Sequence, residues 1–118
     1  MEPRASGRVE RAMHLVTLLL PLRRNDDAPQ PPGLIATVRR ELVECFGGVT
    51  AFTRAPAEGE WAEDGGGTGG PIARDEVIAV EVLVDTLDRD WWGSFRERLE
   101  QDFAQDEVLI RAAEIVRL

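Results

Sequence analysis

An apolar run near the start of the chain constrains the fold more than any other feature of the sequence. Residues 14–20 are nearly all apolar and mostly branched, and Pro21 ends the run. A continuous run of this kind is typical of a central strand that is buried on both faces. A membrane-spanning helix needs about 20 apolar residues, so the run is too short to be one. We therefore predict a buried central strand at this position.

A helical pattern follows, after Pro31, Pro32 and Gly33. The apolar residues that recur at helical spacing are Leu34, Ile35, Val38, Leu42, Val43 and Phe46. Gly47 and Gly48 come where this helix should end, because glycine accepts the left-handed conformation of a helix C-terminus. The spacing predicts one amphipathic helix over this segment.

Two further strands are predicted in the middle of the chain. Residues 49–54 indicate a second strand, with Trp61 on its continuation. A glycine-rich loop follows at about 56–71, since glycine runs of this kind are flexible. Residues 76–84 alternate cleanly, which is typical of a strand whose two faces are distinct.

A second helix and a last strand complete the pattern. Asp88 or Asp90 can cap the helix, since aspartate is a favoured N-cap residue. The apolar positions of this helix are Trp92, Phe95, Leu99 and Phe103. Residues 108–118 alternate again and predict the last strand.

The order strand, helix, strand, strand, helix, strand predicts an α+β domain with the ferredoxin-like βαββαβ topology. Right-handed crossovers would place both helices on one face of a four-stranded antiparallel sheet. The expected strand order is fourth, first, third, second, which makes the two most apolar strands central. We expect residues 12–118 to form this single domain, after a flexible N-terminal tail of residues 1–11.

The other face of the sheet is predicted to be apolar and uncovered. A contiguous apolar patch of this size rarely stays exposed on a monomer. We therefore expect a homodimer packed sheet to sheet. The apolar residues predicted for this face are Met13, Leu15, Leu19, Val77, Ala79, Leu83, Leu109, Ala113 and Ile115.

Four polar residues are predicted on the same face: Thr17 on the first strand, Glu81 and Arg111 on either side of it, and Arg117. A charge among apolar neighbours is usually paired, because an isolated buried charge is costly. This favours a structural ion pair or a pair across the interface. The alternative is a polar spot in an apolar cavity, which is the usual design of a small-molecule site.

Other side chains are candidates for lining a pocket or for chemistry. Trp61 and Trp91 fit a pocket or an interface, where tryptophan is enriched, although core packing at the helix start is the plainer interpretation. His14 joins Glu81 and Arg111 as a catalytic candidate, because a histidine can act as a general base with a carboxylate partner. A histidine at a strand end is more often structural.

Charge and composition exclude several classes of function. The chain has 22 Asp+Glu against 14 Lys+Arg, a formal net charge of −8, which argues against nucleic acids and anionic membranes as partners. Residues 56–107 hold four arginines and 15 acids, a local net of −11, which a solubilising surface explains. Lysine is absent, which excludes a Schiff base and a P-loop.

One histidine and one cysteine are too few for a multi-histidine or cysteine-rich metal site or for a disulfide. We expect no metal and no cofactor, and the single thiol fits the reducing cytoplasm. Cys45 follows late in the first helix, whereas a nucleophilic cysteine prefers a helix N-terminus. We therefore interpret it as inert.

Three segments resemble a bacterial family of small uncharacterised proteins. They are a Phe-Gly-Gly turn into a threonine strand at 46–50, a Gly-x-Trp at 59–61, and a Phe-x-Gln-acidic-x-Val-Leu entry to the last strand at 103–109. The resemblance spans residues 13–118 and implies no activity. The expected fold is also similar to that of dimeric ferredoxin-like α/β-barrel proteins, which include small monooxygenases and ligand-binding domains. The histidine-asparagine-tryptophan sets of the haem-degrading members do not occur in this sequence.

Two hypotheses follow from these observations. The first is a non-catalytic homodimeric module that binds or interacts through the open face of the sheet. The alternative is a small cofactor-free enzyme or small-molecule-binding protein, with its pocket between the sheet and a partner. A dry, filled sheet face favours the first, and an enclosed pocket around a polar group favours the second.

Overall fold

The computed structural model of the chain describes residues 11–62 and 72–118, with the side chains of residues 11–51 and 76–118. Its elements are, in chain order, β1 (Arg11–Pro21), α1 (Leu34–Phe46), β2 (Thr50–Ala62), β3 (Ile72–Val84), α2 (Arg89–Asp102) and β4 (Leu109–Arg117). The strands form one four-stranded antiparallel sheet in the order β2-β3-β1-β4. The predicted α+β, ferredoxin-like topology and its strand order are confirmed.

The two central strands supply one half of the core. Alternate side chains of β1, those of Val16, Leu18 and Leu20, are at most 1% exposed, and Val80 and Val82 of β3 are equally buried. Burying a side chain of this size contributes about 1.5–3 kcal/mol. The helical residues in the same cluster are Val38, Leu42, Trp92, Phe95 and Leu99. Both helices therefore cover the same face of the sheet.

The helix ends follow the local chemistry of the sequence. α1 is flanked by Gly33 and Gly47, whose φ angles are 84° and 88°, a conformation that glycine adopts without steric cost. α2 is capped by Asp88, whose carboxylate accepts a hydrogen bond of 3.1 Å from the backbone N–H of Trp91. Of the two predicted caps, Asp88 is therefore the one used. Asp90 lies in the first turn, where a carboxylate complements the positive end of the helix dipole.

The hairpin of β2 and β3 is longer than the sequence pattern predicts. β2 continues to Ala62 and β3 begins at Ile72, so strand pairing takes up part of the range 56–71 assigned to a glycine-rich loop. Trp61 does lie on the continuation of the second strand, as expected. Residues 63–71, and residues 1–10 of the predicted tail, lie outside the described residues; Arg11 already belongs to β1.

A register shift explains how this long hairpin includes a proline. The pairing of β2 with β3 is irregular between Phe52 and Ala57, and Pro56 lies within that interval. Proline cannot donate a ladder hydrogen bond, and within sheets it is confined to edge strands and bulges. β2 is an edge strand, so a strand broken by proline is tolerated here.

Two glutamines tie the loop after β1 to the segment after α2. The Nε2 group of Gln30 donates to the carbonyl of Phe103 at 2.7 Å, and the Nε2 group of Gln105 donates to the carbonyl of Arg23. The backbone N–H of Asn25 adds a bond of 2.9 Å to the carbonyl of Ala104. The side chain of Gln105 thus crosses to the β1–α1 loop, which gives the Phe-x-Gln motif a structural role.

Candidate functional site

The open face is the face of the sheet that points away from both helices. Directly opposed residues of antiparallel strands share a face. The register therefore places the residues that were predicted for the open face on one face of the sheet. Leu15 pairs with Leu83 and Ala113, and Thr17 pairs with Glu81 and Arg111. The other residues of the open face are Met13, Leu19, Val77, Ala79, Leu109, Ile115 and Arg117.

Exposure varies across the open face. Met13 and Val77 are only 6% and 8% exposed, although neither belongs to the helix-side core. Leu83 and Leu109 are 44% and 46% exposed. Neither described helix covers these side chains, so the face keeps a large apolar area available for contact.

A polar row crosses this apolar surface. Thr17 stands on the central strand, with Glu81 on one side and Arg111 on the other. Neighbouring strands lie about 4.8 Å apart, so the backbones of Glu81 and Arg111 are about 10 Å apart. No ion pair or hydrogen bond joins either charge to another described residue. A pair between Glu81 and Arg111 within one chain is therefore not formed, although Glu81 is half-buried.

His14 does not share this site. Its cross-strand partners are Val84 and Glu114, and its register places it on the helix side of the sheet, in line with Val16. Its Nδ1 atom is buried and has no hydrogen-bond partner among the described residues. The three catalytic candidates are thus divided between opposite faces, with Glu81 and Arg111 on one and His14 on the other.

Of the two tryptophan candidates, Trp91 also lies away from the open face. Trp91 stacks on Phe95 at 4.9 Å between ring centroids and meets Phe46 edge to face at 5.1 Å. Trp92 stacks on Phe46 at 5.2 Å between ring centroids. These rings join the end of α1 to the start of α2. This is the core packing at the helix start that was the plainer interpretation of Trp91. The side chain of Trp61 lies outside the described residues.

A groove lies between α2 and β4, and the sequence pattern did not predict it. It holds about 310 Å³ and is bordered by Arg89, Trp92, Gly93 and Arg96 of the helix and by Ile110 of the strand. Arg111 also borders it, although the register with Thr17 assigns its side chain to the open face. The one local signal was Gly93, an unfavourable residue inside a helix pattern.

No helix among the described residues is long and apolar enough to cross a membrane. Fold and surface together define a ferredoxin-like domain whose sheet has an apolar face that neither described helix covers.

Comparison with known proteins agrees with this class. No protein-family model and no curated protein matches the chain. Among solved structures, the chain is similar to a phage SAM lyase in complex with S-methyl-5′-thioadenosine, with a TM-score of 0.63 over 98% of this chain and 92% of that chain. The two sequences are 14% identical, so the likeness is one of fold, and fold alone does not fix function. The resemblance to the bacterial family of small proteins gains no sequence support.

Proposed function

We propose that this protein is a non-catalytic binding module that works as a homodimer through its open face. The observation that carries the proposal is the combination of half-exposed apolar side chains with an unpaired, half-buried Glu81 on one surface. Burial of apolar area contributes about 25 cal/mol per Å². A second copy would bury the exposed parts of Leu83 and Leu109 together with the rest of this face.

Symmetry also gives the polar row a partner. Two sheets that pack face to face keep their strands nearly aligned. A two-fold axis running along β1 would then place Glu81 of each copy opposite the partner's Arg111, and it would form that pair twice. An ion pair that neither chain forms alone would thereby be completed across the interface.

A matched pair of substitutions tests the interface. Leu83 on the open face and Val43 on α1 are 44% and 43% exposed, so a glutamate at either position meets similar solvent in the monomer. We expect light scattering after size-exclusion chromatography, at micromolar concentration, to give a dimer mass for the wild type and for Val43→Glu. Leu83→Glu should give a monomer mass, because it would bury two uncompensated charges at the interface.

Two results would contradict the proposal that the open face is the dimer interface. One is a monomeric wild type at that concentration. The other is a Leu83→Glu variant that is as dimeric as Val43→Glu.

Small-molecule binding at the same face is the second candidate function. Thr17, Glu81 and Arg111 form a polar row within apolar surroundings, as ligand sites often do. The structurally similar phage protein was solved with S-methyl-5′-thioadenosine. A ligand that binds only the folded state raises the melting temperature. Thermal unfolding with and without S-methyl-5′-thioadenosine, together with mass spectrometry after incubation with SAM, tests this candidate.

Outcomes separate the two functions. A raised melting temperature that Glu81→Gln abolishes, or conversion of SAM to S-methyl-5′-thioadenosine, would favour the ligand-binding or enzymatic role. An unchanged melting temperature and intact SAM, with a stable dimer, would favour the module.

The module proposed here needs no metal and no cofactor. Its one cysteine, Cys45, is a free and exposed thiol. Exposed thiols persist in reducing compartments, and we propose that the protein works in the cytoplasm.

A further inference from the structure

The α2–β4 groove lies on the helix side of the sheet, apart from the open face. Its apolar floor comes from Trp92 and Ile110, and three arginines stand around it: Arg89, Arg96 and Arg111. No acidic side chain is among the described residues that line it. This is a concentration of positive charge on a chain whose net charge is −8.

The three arginines differ in what they already bind. Arg96 pairs with Glu100 at 2.9 Å, and the Glu100 carboxylate also accepts the backbone N–H of Val108 at 3.0 Å. Arg96 is thus held by the fold. Arg89 and Arg111 are exposed, and no hydrogen bond or ion pair joins either to another described residue. The register with Thr17 assigns the Arg111 side chain to the open face, so Arg89 is the free guanidinium group that this groove offers to an anion.

Gly93 keeps the groove wall open. It lies inside α2, where glycine costs about 0.5–1 kcal/mol relative to alanine. A Cβ atom built on Gly93 would meet nothing within 4 Å, so packing within the described chain does not require glycine. The missing side chain leaves room against the helix beside the apolar floor.

We propose that the α2–β4 groove binds a small organic anion, one that carries a carboxylate or phosphate on an apolar body. Its volume of about 310 Å³ is at the lower end of the range of about 300–1,000 Å³ typical of ligand pockets. Guanidinium groups bind carboxylate and phosphate through paired N–H donors. The apolar part of the ligand lies on Trp92 and Ile110 beside Gly93, and the anionic part meets Arg89.

Phenyl phosphate is a suitable probe, because it combines an anion with an apolar ring. Titration followed by ¹H–¹⁵N NMR is expected to give saturable shifts at the indole N–H of Trp92 and the amide of Gly93. Inorganic phosphate lacks the ring and phenol lacks the charge, so each should bind at least about tenfold more weakly, a loss that corresponds to about 1.4 kcal/mol. Shifts produced equally by inorganic phosphate at the same sites would indicate an adventitious ion only and would overturn the proposal.

A substitution of Arg89 and a matched control on α1 test whether the charge at the groove controls binding. Arg89→Gln should weaken phenyl phosphate binding about fivefold, within the range of a single partly exposed charge contact. Arg40→Gln makes the same change of charge on the exposed side of α1, and it should leave binding unchanged. Equal weakening by both variants would show that overall charge, and not the groove, controls binding.

Gly93→Leu separates binding from folding. Leucine is a far better helix former than glycine, and its side chain would fill the groove. The variant should melt no lower than the wild type and should lose the phenyl phosphate shifts. Retained binding in this folded variant, or an absence of saturable shifts in the wild type, would overturn the proposal.

Discussion

At the scale of the residue, one side chain can set where a helix begins. Asp88 accepts the N–H of Trp91 and thereby satisfies one of the backbone donors that the first turn leaves unpaired. Asp90 lies inside that turn and acts only through its charge. The sequence left both aspartates open as caps, because the choice depends on where the backbone leaves the helical conformation.

We predict that Asp88→Ala lowers the free energy of unfolding by about 1 kcal/mol, the usual cost of losing an N-cap. Urea denaturation monitored by circular dichroism measures it. Asp90→Ala is the matched control and should cost less, since a charge near the dipole contributes only about 0.3–1 kcal/mol. An equal loss in the two variants would contradict the capping role of Asp88.

The position of each catalytic candidate, His14, Glu81 or Arg111, on one face of the sheet is also decided at the scale of the residue. Along a strand, side chains alternate between the two faces. His14 and Val16 therefore share a face, whereas Thr17 and its neighbours Glu81 and Arg111 share the other. That separation follows from parity in the sequence alone, and it argues against a single site built from all three candidates within one chain.

At the scale of the element, strands with strong alternation were predictable and the hairpin bounds were not. β1 and β3 carry continuous or alternating apolar residues, and their partners follow from the topology. β2 contains Pro56 and Gly59, which are typical of loops because proline and glycine weaken a strand. Pairing with β3 on one side nevertheless holds this segment extended up to Ala62. Pairing with β3 thus outweighed the low strand propensity of this segment.

The loops on either side of the helices depend on contacts that no local pattern predicts. Gln30 and Phe103 are far apart in sequence and meet through a partly buried hydrogen bond of 2.7 Å. We predict that Gln30→Ala lowers the free energy of unfolding by about 1–2 kcal/mol, because the Phe103 carbonyl loses its donor.

Thermal or urea unfolding measures this effect, and Gln101→Ala is its control. Gln101 is exposed on α2, so its replacement should change the free energy of unfolding by less than about 0.5 kcal/mol. Equal effects of the two substitutions would mean that the Gln30 bond does not stabilise the loop.

At the scale of the whole molecule, the order of elements was enough to predict the topology. Handedness rules leave few ways to connect this order of strands and helices, and the apolar central strands agree with the outcome. The open face was predictable for the same reason, since alternation assigns each side chain to a face. The α2–β4 groove was not, because it depends on how closely a helix approaches an edge strand.

In the proposed homodimer, two copies of the chain meet through the open face. Isotope-filtered NOE spectroscopy on a mixture of ¹³C-labelled and unlabelled chains detects only contacts between copies. A dimer through the open face should give methyl cross-peaks between copies from Leu15, Leu19 and Leu83, and none from Val38 or Leu42 of the core. Cross-peaks confined to the helices or to the outer edge of β4, or no cross-peaks between copies at all, would contradict it.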